Sequence, residues 1–331
     1  MSERAAIEVS VIVPTHDRMD TLPEVLAAVE SQAAPFPFEL VVVDDGSAAD
    51  TAAFLAGRPF GVPARVIRQD NRGPAAARNA GVAAARGRLV AFLGDDTVPQ
   101  RGWLAAHRAA HDRRGDPSAL AIIGYTGWHP RQRRTAFLDY INDHGLQFGY
   151  PIIDDPEDVP FNFFYTSNLS LPRALLEAEP FDTGFPYPAW EDIETSYRLT
   201  RRRGLKLVYE PRARAAHDHP TDLARFAVRQ ERAGYSAVVF WTRHPELGSF
   251  LGVGPGGPPP LPPEGRQRRR EAVVRALQKM PIRLPALWEE VLRYHYIRGL
   301  RRAWSELVGG SGPDAPDGGG GDAKGDRSPW P

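Results

Sequence analysis

Two pairs of adjacent carboxylates, Asp44-Asp45 and Asp95-Asp96, each close a short apolar run. Asp95-Asp96 sits in a turn marked by Gly94 before it and Pro99 after it. Such a pair can hold a hard divalent cation, Mg²⁺ or Mn²⁺, which takes one or two protein carboxylates and fills its other positions with water and phosphate oxygens. The same residues are also favoured turn formers, so the pattern alone leaves both readings open. Asp44-Asp45-Gly46-Ser47 carries the same ambiguity: it can accept hydrogen bonds from a bound ligand, or turn the chain and cap a helix. A third segment, Asp70-Asn71-Arg72-Gly73-Pro74 followed by Arg78-Asn79, puts a guanidinium near a helix start, a place suited to anionic or carbonyl oxygens, though the residues alone equally describe a surface arginine on a polar face. Further on, Glu191, Asp192 and Glu194 open a helix that closes on Arg198, Arg201, Arg202 and Arg203. Read by itself, that is a helix complementing its macrodipole, with Glu194 and Arg198 paired four residues apart.

The elements that must position these residues follow from hydrophobic patterning. Val9 to Val13, Leu40 to Val43, Arg65 to Arg68 and Leu89 to Leu93 are short β-branched or apolar runs expected to be strands. Between them lie helical patterns. Leu22, Val25, Leu26 and Val29 recur at helical spacing behind Thr21-Leu22-Pro23-Glu24, which has the spacing of a capping box. Pro74 to Ala85 is rich in alanine, the best helix former, with Gly87 as its expected cap. Strand–helix alternation with continuous apolar strands implies a mostly parallel α/β sheet covered on both faces, whose ligands sit at the carboxyl ends of the strands. Two of the four strands end there in an Asp pair. Later segments add helices over Trp103 to Arg114 and Asp192 to Arg203, ended by Gly204, and a strand from Leu205 to Tyr209.

Composition narrows the class. Of 331 residues, 41 are basic and 41 acidic, and this zero net charge argues against a general nucleic-acid binder. Cysteine is absent, which excludes thiolate chemistry, disulfides and cysteine metal sites. No run approaches the roughly 18–20 apolar residues of a membrane span, and the first residues lack a signal-peptide pattern, so a soluble, cytoplasmic protein is expected.

The runs VSVIVPTHDR, LVVVDDGS, DNRGPAAARNAGVAAARG and LVAFLGDDTVP, in this order, resemble the nucleotide-binding half of family 2 glycosyltransferases of the GT-A fold. The later runs TSNLSLPRALL, FDTGF and AWEDIETSYRLTRRRG are similar to the acceptor half, so the resemblance covers roughly residues 7–220. It implies a GT-A nucleotide-diphospho-sugar transferase fold over 1–220, with a nucleotide half (1–105) and an acceptor half (106–220). A C-terminal helical extension over 221–310 would contain a Pro/Gly linker at 252–265, and 311–331 reads as a disordered tail. By the same resemblance, Pro14, Thr15, Asp44, Asp45, Arg78 and Asp95 would hold the donor nucleotide. Asp96 and His217 would be metal ligands, with His219 the alternative histidine. Asp192, with Glu191 beside it, would be the catalytic base, and Asn168 and Trp190 would face the acceptor. Gly94 departs from the pattern, standing where many members carry a first aspartate.

What is implied is a bacterial-type enzyme that moves one sugar from a UDP-, GDP- or dTDP-sugar to a glycan or lipid-linked acceptor by a metal-assisted (Mn²⁺ or Mg²⁺) inverting displacement. Arg229-Gln230-Glu231-Arg232-Ala233 lacks the tryptophan of the processive synthases' signature, which favours single transfer. Leu284, Leu287, Trp288, Val291, Leu292 and Tyr294 could rest on a membrane surface, pack on the domain or form a dimer contact. Two other functions compete: a non-catalytic sugar-nucleotide or glycan-binding scaffold, and a sugar nucleotidyltransferase. The latter fits less well because VPTHDRMDTLP is neither glycine-rich nor strongly basic.

Overall fold

A computed structural model describes residues 6–115, 117–277 and 283–309. The segment 311–331, expected to be disordered, lies outside the described residues. The chain forms two compact units, one of residues 1–133, 153–183 and 191–219, the other of 134–152, 184–190 and 220–331. A single cut at residue 220 therefore does not separate them.

In the first unit the strands are β1 (Val9–Thr15), β2 (Phe38–Asp45), β3 (Ala64–Gln69), β4 (Leu89–Leu93), β5 (Thr97–Pro99), β6 (Leu120–Trp128), β7 (Asn168–Pro172) and β8 (Lys206–His217). They form one sheet in the order β3-β2-β1-β4-β7-β6-β8-β5. The half built from β1 to β4 is wholly parallel, as the apolar runs implied. Their side chains are buried on both faces in β1, β2 and β4, whereas β3 lies at the edge and leaves Val66 40% exposed. Antiparallel β7 then enters the middle, with Asn168 opposite Leu93. β5 pairs with the end of β8, Thr97 opposite His217. This order brings the ends of β1, β2, β4, β6 and β8 and the start of β7 to one edge of the sheet.

Helices α1 (Leu22–Glu30), α2 (Ala49–Gly57), α3 (Pro74–Ala84) and α4 (Trp103–Asp112) flank these strands. α1 buries Leu22, Val25, Leu26 and Val29, its predicted stripe, each worth about 1.5–3 kcal/mol when removed from water. The capping box does not form: Thr21 makes no side-chain cap bond, and its hydroxyl donates instead to Asp95 O at 2.8 Å. Nor is Gly87 a helix cap. A Cβ there would stand 2.6 Å from Ser10 N, so this glycine allows close backbone passage beside β1. Gly81 serves α3 similarly, since a Cβ would meet Ile12 Cγ2 at 2.4 Å.

The chain continues through α5 (Ala136–Asp143), α6 (Arg173–Ala178), α7 (Glu191–Arg203), α8 (Leu223–Arg243), α9 (Gly248–Leu251), α10 (Glu264–Leu277) and α11 (Pro285–Leu307). In the second unit α8 and α11 touch backbone to backbone. A Cβ on Gly234 would lie 2.0 Å from Tyr296 O, and one on Gly299 would lie 1.9 Å from Glu231 O. The apolar residues considered for a membrane face are mostly spent here: Trp288, Val291, Leu292 and Tyr294 are buried, Trp288 against Phe137 and Tyr140. Among the described residues no helix is long and apolar enough to cross a membrane.

Candidate active site

The site lies at the carboxyl edge of the first unit's sheet. Its floor is a set of loops that hold one another. Asp45 accepts from Gln69 Nε2 (2.7 Å), Arg72 N (2.9 Å) and Gly73 N (2.8 Å), which pins the loop before α3 to the end of β2. Asp44 accepts from Ser47 N at 2.9 Å and pairs with Arg68. Gly46 has φ +74°, and a Cβ would stand 2.6 Å from Asn71 N, so this loop needs glycine there on both counts. Both aspartates are buried and much of their accepting capacity is taken by protein donors. Thr15 ends β1 opposite Asp44, and Pro14 lies opposite Val43. His16, which the sequence did not single out, has its ring Nδ1 2.9 Å from Asp45 O, and its backbone N–H donates to Asp95 Oδ2 at 3.4 Å.

Asp95 and Asp96 diverge in chemistry. Burial, and then the neighbouring Asp96 charge, push Asp95 up to about 7. Burial works in the same direction on Asp96, but the charge and hydrogen bond of His217, the hydrogen bond from His219 and Arg18 outweigh it and hold Asp96 well below the usual carboxylate range. Asp96 Oδ2 stands 3.4 Å from His217 Nε2, 3.2 Å from His219 Nδ1 and 3.7 Å from Arg18 Nη2. The two imidazoles stack with centroids 5.5 Å apart. One carboxylate oxygen and two imidazole nitrogens thus come within 4.8 Å of one another, a donor set that suits a divalent cation. The sequence left the choice of histidine open; both are here. Arg18, part of the PTHDR run, was missed as a site residue. The signal available was a lone arginine just beyond a strand end.

At Gly94 a Cβ would lie 2.8 Å from Thr97 Oγ1 and 3.0 Å from Asp96 Oδ1. A side chain at this position would require the Thr97 and Asp96 side chains to shift. Gly94 N also donates to Ser167 O at 3.2 Å, which brings the segment before β7 beside the acidic turn.

That segment meets the start of α7. Asp192 Oδ1 accepts from Ile193 N at 2.9 Å, while Oδ2 has only long contacts of 3.4 Å from Thr166 N and Oγ1. Burial, and then the Glu191 charge, push Asp192 up to about 6, against the opposing charge of Arg78. Glu191 is buried and accepts from Arg78 Nη1 at 2.8 Å, and among the described residues its other oxygen has no hydrogen-bond partner. Glu191 therefore faces the arginine of α3, and Asp192 is the carboxylate left weakly bonded.

Two expected acceptor residues are placed otherwise. Asn168 is fully buried, and its amide is used up: Oδ1 accepts from Trp103 Nε1 (2.7 Å) and lies 2.8 Å from His107 Nε2, while Nδ2 donates to Tyr125 O (3.1 Å) and Ala213 O (3.0 Å). It fills the irregularity where the β6–β8 register shifts between Gly124 and Tyr125, and nothing is left for an acceptor hydroxyl. Burial depresses His107 to about 4, keeping this network neutral. Trp190 belongs to the second unit, where its N–H donates to Ala233 O at 2.9 Å and its ring packs on Phe240 and Phe250. Its φ of +73° is strained for a large side chain.

The chain resembles known proteins over much of its length. Over 255 residues it is 28% identical to the pre-mycofactocin glycosyltransferase of Mycobacterium tuberculosis, covering 75% of this chain and 51% of that protein. It is also 28% identical over 215 residues to validoxylamine A glucosyltransferase of Streptomyces hygroscopicus, covering 57% and 47%. The chain thus spans about half the length of these curated relatives. Among solved structures, a mannosyltransferase from Pyrobaculum calidifontis in complex with GDP-Man and Mn²⁺ superposes with a TM-score of 0.59 at 17% identity, over 92% of this chain and 89% of that one. This establishes the GT-A type of fold. The family model described as Glycosyl transferase family 2 matches residues 10–176. Since that stretch takes in the β1, β2, α3 and β4 motifs and runs past Asn168, the chain belongs to glycosyl transferase family 2.

Proposed function

We propose that this chain transfers a single sugar from a nucleoside diphosphate donor to an acceptor hydroxyl with inversion at the anomeric carbon, and that Asp192 is the base. The observation that carries this reading is the state of Asp192: a carboxylate pushed up to about 6, weakly hydrogen-bonded, beside the acidic strand end. A base works best when its pKa approaches the working pH. In the reaction, a bond forms between the acceptor oxygen and the anomeric carbon as the bond to the diphosphate oxygen breaks, and the acceptor proton passes to Asp192. Glu191 is paired with Arg78, whereas Asp192 Oδ2 has contacts of 3.4 Å, which makes Asp192 the carboxylate placed to take up the proton. The loops carrying Thr15, Asp44, Asp45 and Asp95 would line the nucleotide, and Arg78 would face its anionic part. Asp96, His217 and His219 would hold a divalent cation, and two imidazoles favour Mn²⁺ over Mg²⁺, which prefers oxygen ligands. When bound, that cation supplies charge neutralisation for the departing diphosphate.

The donor class is supported by the GDP-Man of the Pyrobaculum calidifontis structure and by UDP-GlcNAc in the S. aureus TarS complex, which superposes with a TM-score of 0.51. The acceptor is proposed to be a glycan or lipid-linked hydroxyl. Release of nucleoside diphosphate from a panel of UDP-, GDP- and dTDP-sugars, with and without acceptors, tests the assignment. Turnover that Asp192→Asn abolishes while nucleotide binding persists is expected. Binding with no turnover from any donor would instead identify a scaffold.

A further inference from the structure

A second cluster of side chains backs onto the Asp96 site and faces the other way. β8 ends at His217, and the next residue, Asp218, donates its backbone N–H to Asp96 O at 2.7 Å. Extended-chain alternation sends His217 and His219 to one side and Asp218 to the other. On that side the Asp218 carboxylate, 12% exposed, lies 2.6 Å from Arg131 Nη2 and 3.9 Å from His129 Nδ1, and accepts from Gln132 Nε2 at 3.5 Å. Arg131 also pairs with Glu24 of α1, and His129 Nε2 stands 3.6 Å from Glu24 Oε1. The backbone N–H of His129 donates to His217 O at 2.9 Å. From the β1 side, Arg18 Nη2 donates to Asp218 O at 3.4 Å. Three parts of the fold, α1, the end of β6 and the loop after β1, thereby converge on residues 217–219.

The donor atoms of Glu24, His129 and Asp218 are themselves close enough to suggest a cation. Yet the Arg131 guanidinium bridges both carboxylates and supplies the positive charge, so a divalent ion would first have to displace it. Arg131 is 55% exposed, and an ion pair so screened adds little to stability. What it does add is direction.

We propose that Glu24, Arg131 and Asp218 form a latch that sets where the His217 and His219 rings stand relative to Asp96. They are positioning residues: they act through the two histidines. The inference rests on the donor-site reading of Asp96, His217 and His219 for its purpose, and its test keeps the two apart. Loss of a partner that orients a metal-binding group typically weakens metal affinity about 10–100-fold.

The experiment uses the full chain labelled with ¹⁵N-histidine. Imidazole signals are assigned by loss in His217→Gln and His219→Gln, and Mn²⁺ affinity is read from the electron paramagnetic resonance of the free ion. Asp218→Asn and Arg131→Gln should each move both ring signals and weaken Mn²⁺ about tenfold, with no further loss in the double variant. Arg58→Gln, which follows α2 and removes the partner of Glu30 at the far end of α1, should change neither. Because Arg131 is a surface side chain, its variant keeps the test valid if Asp218→Asn fails to fold. Unmoved ring signals in both variants would overturn the latch. So would two Mn²⁺ ions per chain with one lost in Glu24→Gln, which would make the cluster a second cation site. If the wild-type chain binds no Mn²⁺, the cation reading of Asp96 fails, and the ring signals alone decide the latch.

Discussion

Asp192 and Asp96 both sit at the start of a turn or helix, yet their surroundings pull them in opposite directions. Asp96 has two imidazoles and an arginine around it, while Asp192 has burial and Glu191. The pH–rate profile should therefore rise through about 6 as Asp192 loses its proton, and Glu191→Gln should move that limb to lower pH, because the repelling charge is gone. A limb unmoved by this substitution would remove Glu191 from the account. The sign for stability is the reverse of a salt-bridged carboxylate. A folded-state pKa raised above the unfolded value makes ionisation costly, so the cost is absent below about 4 and complete above about 6. Asp192→Asn should then be more stable than wild type at pH 8, by about 3 kcal/mol in denaturant unfolding, with the advantage gone near pH 4. Asn168 gives a contrasting prediction. Asn168→Ala strands Trp103 Nε1, His107 and two carbonyls in the core, and should cost about 3 kcal/mol in a urea titration. The acid pairs and Asp192 stand out in the sequence because their types and spacing match a motif. The true role of Asn168 does not, since its four partners come from α4, β6 and β8 and none is near it in sequence.

At the scale of elements, short-range signals succeeded where one periodicity ruled and failed where a tertiary contact competed. α1, α3, β1, β2 and β4 lie where apolar spacing put them. The Thr21 capping box failed because the acidic turn takes the Thr21 hydroxyl, so Thr21→Val should perturb Asp95 and Asp96 more than it unwinds α1. Nucleotide and Mn²⁺ affinity should fall while helical circular dichroism stays unchanged; the opposite pattern would restore the capping role. β7 was not expected as a strand: Asn168–Pro172 alternates polar and apolar residues over only five positions, and its polar residues are buried along with the apolar ones. The α8–α11 pair depends on two glycines that the sequence shows only as helix-weakening residues. With a Cβ some 2 Å from a carbonyl oxygen at each, Gly234→Ala and Gly299→Ala should each destabilise the chain by about 1–3 kcal/mol, measured by denaturant unfolding.

For the molecule as a whole, the sheet order explains why distant motifs share one edge. Parallel β1, β2 and β4 deliver their acidic or polar ends together, antiparallel β7 returns Thr166 to the same edge, and β8 brings His217 and His219. The first half of that arrangement could be read from alternating strands and helices. The second half could not, because it turns on non-local pairing and an irregular β6–β8 register. The central claim is that this edge binds a nucleoside diphosphate together with a cation at Asp96. Thermal unfolding of the purified chain with UDP, GDP, dTDP and CDP, each with and without Mn²⁺, tests it most directly. A ligand at a hundred times its Kd stabilises the folded state by about 2.7 kcal/mol, well within reach of the measurement. A shift with one nucleotide that requires Mn²⁺ and disappears in Asp96→Ala is expected. No shift with any of the four at millimolar concentration would contradict the claim.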